Sequence, residues 1–402
     1  MNSVKAPRIF FASGPGNAID AHKNWRQGID DPSQMSITFS SEVEQFCTEL
    51  GALTYIVSSA SPAVILHDND ITVEHRPKQI KTGVRYHINA IRYGLGLLST
   101  AVRIKADYAI LQSGSTHYFM MSIFRLFGIK VIPVLHNTLW PAGFPPKSLI
   151  PRIILYFDSL FFRWAATAIL GVSPECVRQV DRVTNGKHGP AYVFMPQFNR
   201  AIFQPQVSPP SYEASPFRLL YSGRIARGKG VFDLLQIIRK VDSALPGRIT
   251  LDICGDGPEL VFLKRETQRL NLDRLVFING WTSPADLRQK LIACNAAIVP
   301  TRSDFNEGMA MSAIEPILMG RPVITNPVVP ALEILRSACV VANPDDVQSY
   351  SKAIVNLLEN PSVYYDLVRS CCGLKDIFYD RSKSLRAVLT QAIGERSESS
   401  GA

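Results

Sequence analysis

The sequence predicts an α/β chain built as two Rossmann-like, doubly wound parallel-sheet domains facing a central cleft. Three observations carry that expectation. At 402 residues the chain is too long for one ordinary core and suggests two. Short apolar runs alternate with segments of helical length, which is the pattern of strand–helix–strand units. Two of those runs, residues 8–12 and 217–221, each lead straight into a glycine-rich loop, so the same plan starts twice.

Composition narrows the class. Hydrophobic residues make up 46% and charged residues 19%, as in a packed rather than a disordered chain. Of the net +9, residues 1–215 contribute 20 Lys+Arg against 14 Asp+Glu. A basic first half suits anionic lipid headgroups or acidic glycan, so a peripheral membrane contact is compatible with it. No Lys/Arg stripe is interleaved with aromatics, and nucleic acid is not an expected partner. The seven cysteines show no CxxC and no metal-ligand spacing, which fits reduced thiols in a cytoplasmic setting or at the inner face of a membrane. The apolar run at the N-terminus ends at Ala12, too short for a signal-peptide core. The most apolar long segment, residues 149–172, is broken by Arg152, Asp158 and Arg163, so no membrane span is read.

In the first half, residues 8–12 form an expected buried strand that runs into Gly14-Pro15-Gly16. Open α/β sheets bind ligands at such loops, but the dinucleotide fingerprint is incomplete because Ile19 takes the third glycine position. The alternatives are a loop that lets a ligand approach the backbone and a plain turn. A helix over residues 41–50, capped by Ser40 or Ser41, precedes a strand at 53–58. Residues 63–67 then end in Asp68-Asn69-Asp70, which reads either as a metal-binding Asp-x-Asp or as a hairpin turn before 71–75. A helix over 84–105, a strand at 108–112, a helix over 117–127 and a strand at 131–135 follow. His136 stands directly after that last strand, at the end where such sheets place ligand contacts. The apolar helix over 149–166 is expected to be buried against the sheet, with a membrane surface as the alternative.

Residues 196–216 are proline-rich and read as the interdomain connection. Beyond them, strand 217–221 leads into SGRIARGKG, where Gly223 admits close approach and Arg224, Arg227 and Lys229 supply charge suited to a diphosphate. Strands are expected at 249–254, 275–278, 296–299 and 322–325, and helices from 231, at 260–270, 287–294, 345–359 and 384–393. Between 301 and 322 lies TRSDFNEGMAMSAIEPILMGRP. It puts Glu307 and Gly308 at the opening of a helix and Glu315 inside it, about 12 Å further along if all eight residues are helical. Two carboxylates flanking a helix N-terminus suit one elongated anionic ligand, such as a nucleotide-sugar.

Taken together, SGRIARGKG, CGDGPE, INGWTSPADL and EGMAMSAIE before MGRPV make residues 217–359 resemble the donor-binding domain of retaining, GT-B-fold glycosyltransferases of family four. The first half resembles that family more loosely, through Gly14-Pro15-Gly16 and His136. The resemblance implies an acceptor-binding domain at 1–205, a donor-binding domain at 206–378, and a C-terminal helix in 379–402 that packs back on the first, with a frayed tail from residue 395. It implies that Arg224 and Lys229 hold the donor diphosphate and that Glu307 meets the transferred sugar, which His136 faces. Gly308, Met309 and Ala310 would lie at the sugar–phosphate junction, Glu315 at the ribose, Gly280 and Trp281 near the base, and Gly14 and Gly16 against the donor. The implied reaction is retaining, metal-independent transfer of a hexose-type unit from a nucleoside-diphosphate sugar, with no other cofactor. The acceptor would be a glycan, a lipid-linked or a small molecule, in polysaccharide, glycolipid or other glycoconjugate synthesis. A non-hydrolysing sugar-nucleotide epimerase and a non-catalytic nucleotide-sugar-binding subunit are the rivals. Two departures from the family stand out: Met309-Ala310 replaces its usual Phe-Gly, and Pro316 follows Glu315 inside the helix.

Overall fold

A computed structural model describes residues 6–79, 81–213 and 215–399. The first half forms one eight-stranded sheet from β1 (Arg8–Ala12), β2 (Leu53–Ser58), β3 (Val64–Asp68), β4 (Ile71–His75), β5 (Tyr108–Gln112), β6 (Lys130–Leu135), β7 (Ile169–Gly171) and β8 (Ala191–Val193). Their spatial order is β3-β4-β2-β1-β5-β6-β7-β8, all parallel except the β3–β4 hairpin. Central strands such as β1 are nearly continuous apolar runs because helices cover both of their faces. Asn69, at φ 51°, turns the β3–β4 hairpin, and Asp68 is held by Arg26 at 2.6 Å and by His22 at 3.0 Å. Asp68-Asn69-Asp70 is therefore a hairpin turn.

The second half forms a six-stranded, all-parallel sheet from β9 (Phe217–Ser222), β10 (Ile249–Cys254), β11 (Val276–Gly280), β12 (Ala296–Val299), β13 (Val323–Thr325) and β14 (Cys339–Val341), in the order β11-β10-β9-β12-β13-β14. Strand order reverses at β1/β5 in the first sheet and at β9/β12 in the second. Such switch points open a crevice at the carboxyl ends of the strands, and here the two crevices share one cavity.

The connection between the domains is fastened by Arg321. It is fully buried, and its guanidinium donates to the carbonyls of Leu291, Ile292 and Met319 on the second domain and of Val207 and Ser208 on the connection, at 2.7–3.4 Å. At the far end the chain crosses back. The N–H groups of Met195 and Phe198 donate to the carbonyls of Lys383 and Phe378, and helix Leu385–Ser399 packs on helix Phe39–Glu49, where Arg386 reaches Glu49 at 2.9 Å. That last helix runs through the segment expected to fray from residue 395; residues 400–402 lie outside the described residues.

Several expectations shift. Helix Phe39–Glu49 starts two residues early because Thr38, not Ser40 or Ser41, caps it through a 3.0 Å bond to Ser41 N–H. Helix Leu149–Trp164 is not buried against the sheet all round. Phe161 and Phe162 are in the core, but Leu149, Ile150, Ile153, Tyr156, Phe157 and Trp164 face solvent.

Replacing Arg321 by Met keeps most of the side-chain volume and strips five carbonyls of their donor. We expect a loss of about 3 kcal/mol or more, read as a urea midpoint lower by roughly 1 M.

Candidate active site

The crevices of the two sheets meet in a cavity of about 610 Å³. From the first domain come the loop after β1 and the ends of β5 and β6. Gly14 N–H donates to Gln112 Oε1 at 2.9 Å, and Ser58 Oγ donates to the carbonyls of Gly14 and Gly16, so the glycine loop is tied to both neighbouring strands. Gly14 lines this cavity. Gly16 lines an adjoining one of about 670 Å³ that shares Gly14, Pro15, Phe39 and Gln112 with it.

His136 follows β6, and its N–H donates to Ser113 Oγ at 3.0 Å. The ring sits 4.5 Å from Phe39 and 5.8 Å from Phe194, centroid to centroid, and neither ring nitrogen has a partner among the described residues. Burial pushes its pKa down to about 4, so it is a neutral imidazole at pH 7, able to offer one donor and one acceptor but no charge. Sequence reasoning missed Phe39 and Phe194. The misplaced helix start hid the first, and nothing in the local pattern marks the second.

The second domain supplies the charge. After β9 the chain makes a tight loop and one turn, Arg227–Lys229, before helix Val231–Ala244. Its glycines serve packing first. A Cβ on Gly255 would stand 1.8 Å from Gly223 O, one on Gly257 2.4 Å from Ile225 O, and one on Gly230 2.2 Å from Pro300 O. The two glycine-rich motifs are therefore stacked backbone on backbone. Arg224 is exposed at the cavity wall; its carbonyl accepts from Tyr221 Oη at 2.8 Å, and its guanidinium has no hydrogen-bond partner among the described residues. Lys229 pairs with Glu307, lies 4.6 Å from the Phe305 ring centroid, and both it and Glu307 are mostly buried. Thr301 Oγ1 donates to the same Glu307 oxygen at 3.2 Å.

The helix expected to open at Glu307 begins instead at Met311 and ends at Leu318. Glu307, Gly308 and Met309 precede it, and Ala310 caps it at φ 60°, a left-handed conformation that disfavours a Cβ. Glu315 is consequently one turn inside the helix and nearly buried, yet still lines the cavity. Pro316 sits near the end of this short helix, where it removes one intrahelical bond, and the helix closes normally with Met319 N–H on Glu315 O. Burial pushes the Glu315 carboxyl up to about 8, and it has no partner among the described residues.

The two domains touch here. Thr138 N–H donates to Glu307 O at 3.3 Å, Asn306 Nδ2 to Leu139 O at 3.3 Å, and Gly308 lies so close to His136 that a Cβ would stand 1.8 Å from its carbonyl oxygen. The cavity thus brings together Gly14, His136, Gly223, Arg224, Lys229, Glu307, Gly308, Met309, Ala310 and Glu315. Gly280 and Trp281 lie outside its wall. Gly280 ends the edge strand β11, where its carbonyl receives Gly255 N–H at 2.7 Å, and Trp281 is 67% exposed just beyond.

Comparison with known proteins agrees with this architecture. Residues 208–370 match the family model for glycosyl transferases group 1. Glycogen synthase of Mycobacterium tuberculosis is 27% identical over 149 residues, 37% of this chain and 35% of that one. The 2-deoxystreptamine N-acetyl-D-glucosaminyltransferase of Niallia circulans is 26% identical over 147 residues, 36% of this chain and 37% of that one. The match thus spans about a third of the length of these curated relatives. Among solved structures, sucrose-phosphate synthase of Thermosynechococcus elongatus superposes with a TM-score of 0.69 at 16% identity, covering 98% of this chain and 100% of that one. HepE of Anabaena in complex with UDP gives 0.61 at 16%, covering 98% and 100%. The E. coli trehalose-6-phosphate structure bound with UDP-2-fluoro glucose gives 0.70 at 12%, covering 96% and 98%. The chain has the GT-B fold, and the match to the group 1 glycosyl transferase model lies within its second half.

Two measurements probe the helix that carries Glu315. Its folded-state pKa lies above that of an exposed glutamate, so its stabilising contribution is complete at acid pH and is lost as pH rises through about 8. Relative to Glu315→Gln, the ligand-free wild type should lose thermal stability steadily between pH 5 and 9; parallel curves would contradict this. Ala310→Gly should relieve the left-handed Cβ and stabilise by about 0.5–1 kcal/mol after the added backbone entropy, a rise of about 1–2 °C in melting temperature.

Proposed function

We propose that the protein is a retaining glycosyltransferase that moves a hexose-type unit from a nucleoside-diphosphate sugar to an acceptor hydroxyl. The observation that carries this reading is the Lys229–Glu307 pair, set between the exposed Arg224 and the opening of helix Met311–Leu318 inside a cleft shared by two Rossmann-like domains. A donor diphosphate arriving there competes for Lys229. Glu307 is then released to accept hydrogen bonds from sugar hydroxyls, with Thr301 holding its other partner bond. Arg224, Lys229 and the first-turn N–H groups of the helix stabilise charge on the leaving diphosphate, an electrostatic task that requires no metal ion. Gly308 and Met309 lie at the sugar–phosphate junction and Glu315 further along, at the ribose. Neutral His136 faces the sugar from the first domain as a hydrogen-bonding group, not as a cation. The acceptor hydroxyl attacks on the face the diphosphate leaves, so a phosphate oxygen takes the proton and no protein nucleophile is used.

UDP is the first nucleotide to test, because two fold relatives are described with UDP or a UDP-sugar bound. All seven cysteines are free and six are buried, which supports the cytoplasmic setting where such donors are made.

Lys229→Ala should lower kcat/KM by roughly 100- to 1,000-fold and weaken the thermal shift given by the donor nucleotide. Full transfer with unchanged donor affinity would sink the assignment. Transfer by the wild type should persist in excess EDTA, and donor incubated without acceptor should show no epimerised sugar. Loss of activity on chelation would overturn the metal-independent part.

A further inference from the structure

Nearly all of the chain's excess positive charge sits in one segment. Residues 81–164 contain ten Lys or Arg against Asp107 and Asp158 alone, a net +8 of the whole chain's +9. The same segment holds fourteen of the 27 large hydrophobic side chains that are solvent-exposed among the described residues. Its three helices, Gly83–Arg103, Tyr118–Leu126 and Leu149–Trp164, lie side by side on the first domain. Exposed Val84, Tyr86 and Ile88 come from the first, Leu126 and Phe127 from the end of the second, and Leu149, Ile150, Ile153, Tyr156 and Phe157 from the third. Lys81, Arg85, Arg125, Lys147 and Arg152 are exposed among them. Scattered apolar residues need no explanation, but a concentrated set ringed by one sign of charge marks an interaction surface.

The third helix has two working faces. Pro151, Ile154, Leu155 and Asp158, at spacings of three and four, line a cavity of about 530 Å³, whereas residues 149, 150, 153, 156 and 157 stay outside it. Tyr86 and Phe144 line that cavity and are also among the exposed apolar residues, so it opens within the patch. At its inner end it shares Ser113 and Asn137 with the cleft that contains Glu307. Inside, Trp140 Nε1 and Thr138 Oγ1 are buried with no hydrogen-bond partner among the described residues. The wall carries aromatic and proline faces with His87, His117 and Asp158, and no Lys or Arg among the described residues. Such a lining suits a neutral sugar or polyol more than a phosphate.

We propose that these three helices dock on an anionic lipid bilayer and hold the mouth of this second cavity at the membrane surface, where it receives an acceptor head group carried by a lipid. The apolar side chains enter the interface while the Lys and Arg stems lie along it with their charges among the headgroups. The docking stands on the charge and exposure of residues 81–164 alone. The identity of what enters the cavity rests on the transferase reading above.

The test uses the full chain and sedimenting vesicles, either phosphatidylcholine alone or about three parts phosphatidylcholine to one of phosphatidylglycerol. The protein should sediment with the anionic vesicles, weakly with the neutral ones, and less at high salt. Lys147→Gln with Arg152→Gln should reduce partitioning roughly 30-fold, at about fivefold per cation near the surface. Ile150→Glu with Ile153→Glu should abolish binding even at low salt. Both pairs are exposed, and an unaltered thermal shift with UDP would show that the fold and donor site remain intact. Equal binding to both vesicle types, or wild-type binding by the Ile150→Glu/Ile153→Glu protein, overturns the proposal. A dimer in solution that this same substitution dissolves, without vesicle binding, assigns the face to a second copy and overturns it too. If vesicles bind but UDP, GDP and ADP all give no shift with the wild type, the docking stands and the transferase reading falls.

Discussion

At the cleft the two domains meet through a backbone contact. Gly308 rests against the carbonyl of His136 at a distance no side chain would permit, and the hydrogen bonds from Thr138 to Glu307 and from Asn306 to Leu139 flank it. The placing of the cleft's charges against the first sheet turns on that contact, because the loop that touches His136 also bears Glu307, to which Lys229 is paired. Moving the second domain outward by the width of one methyl group would carry Glu307, Lys229 and the start of helix Met311–Leu318 away from the first sheet together. The glycine is required here by proximity, and its φ is unremarkable.

The remaining glycines divide the same way. Gly223, Gly255, Gly257 and Gly230 let the loops after β9, β10 and β12 interlock backbone to backbone, and that interlock aims Arg224 and Lys229. A glycine-rich loop read from sequence suggests room for a ligand. In this fold the room is first taken by neighbouring peptide groups, and the space left for a ligand is what the interlock encloses.

Fourteen strands in two sheets were largely legible because parallel strands covered on both faces are uninterrupted apolar runs with turn residues at their ends. What escaped was short or polar. β14 (Cys339–Val341) has three residues, helices Ala18–Arg26 and Pro174–Thr184 carry more polar than apolar positions, and helix Pro361–Gly373 follows helix Val347–Glu359 with Asn360 alone between them. In the candidate site, spacing along the chain linked Glu307 to Glu315 and placed Lys229 upstream, since those relations follow from the motif order. It could not show that Lys229 and Glu307 pair, that Thr301 shares the same oxygen, or that Phe39 and Phe194 enclose His136. Those are contacts between distant segments, and no local periodicity encodes them.

The Lys229–Glu307 pair has a consequence for what the empty cleft rejects. With its lysine already neutralised, the site offers a free anion little beyond Arg224 and a helix end, and drawing Lys229 away would strand Glu307 in a buried position. Inorganic phosphate brings nothing to replace that lost partner. A ligand with a diphosphate at one end and hydroxyls at the other satisfies both residues at once. On the function proposed above, the pair would work as a coincidence detector, the two charges discriminating by the distance over which a ligand can answer them together.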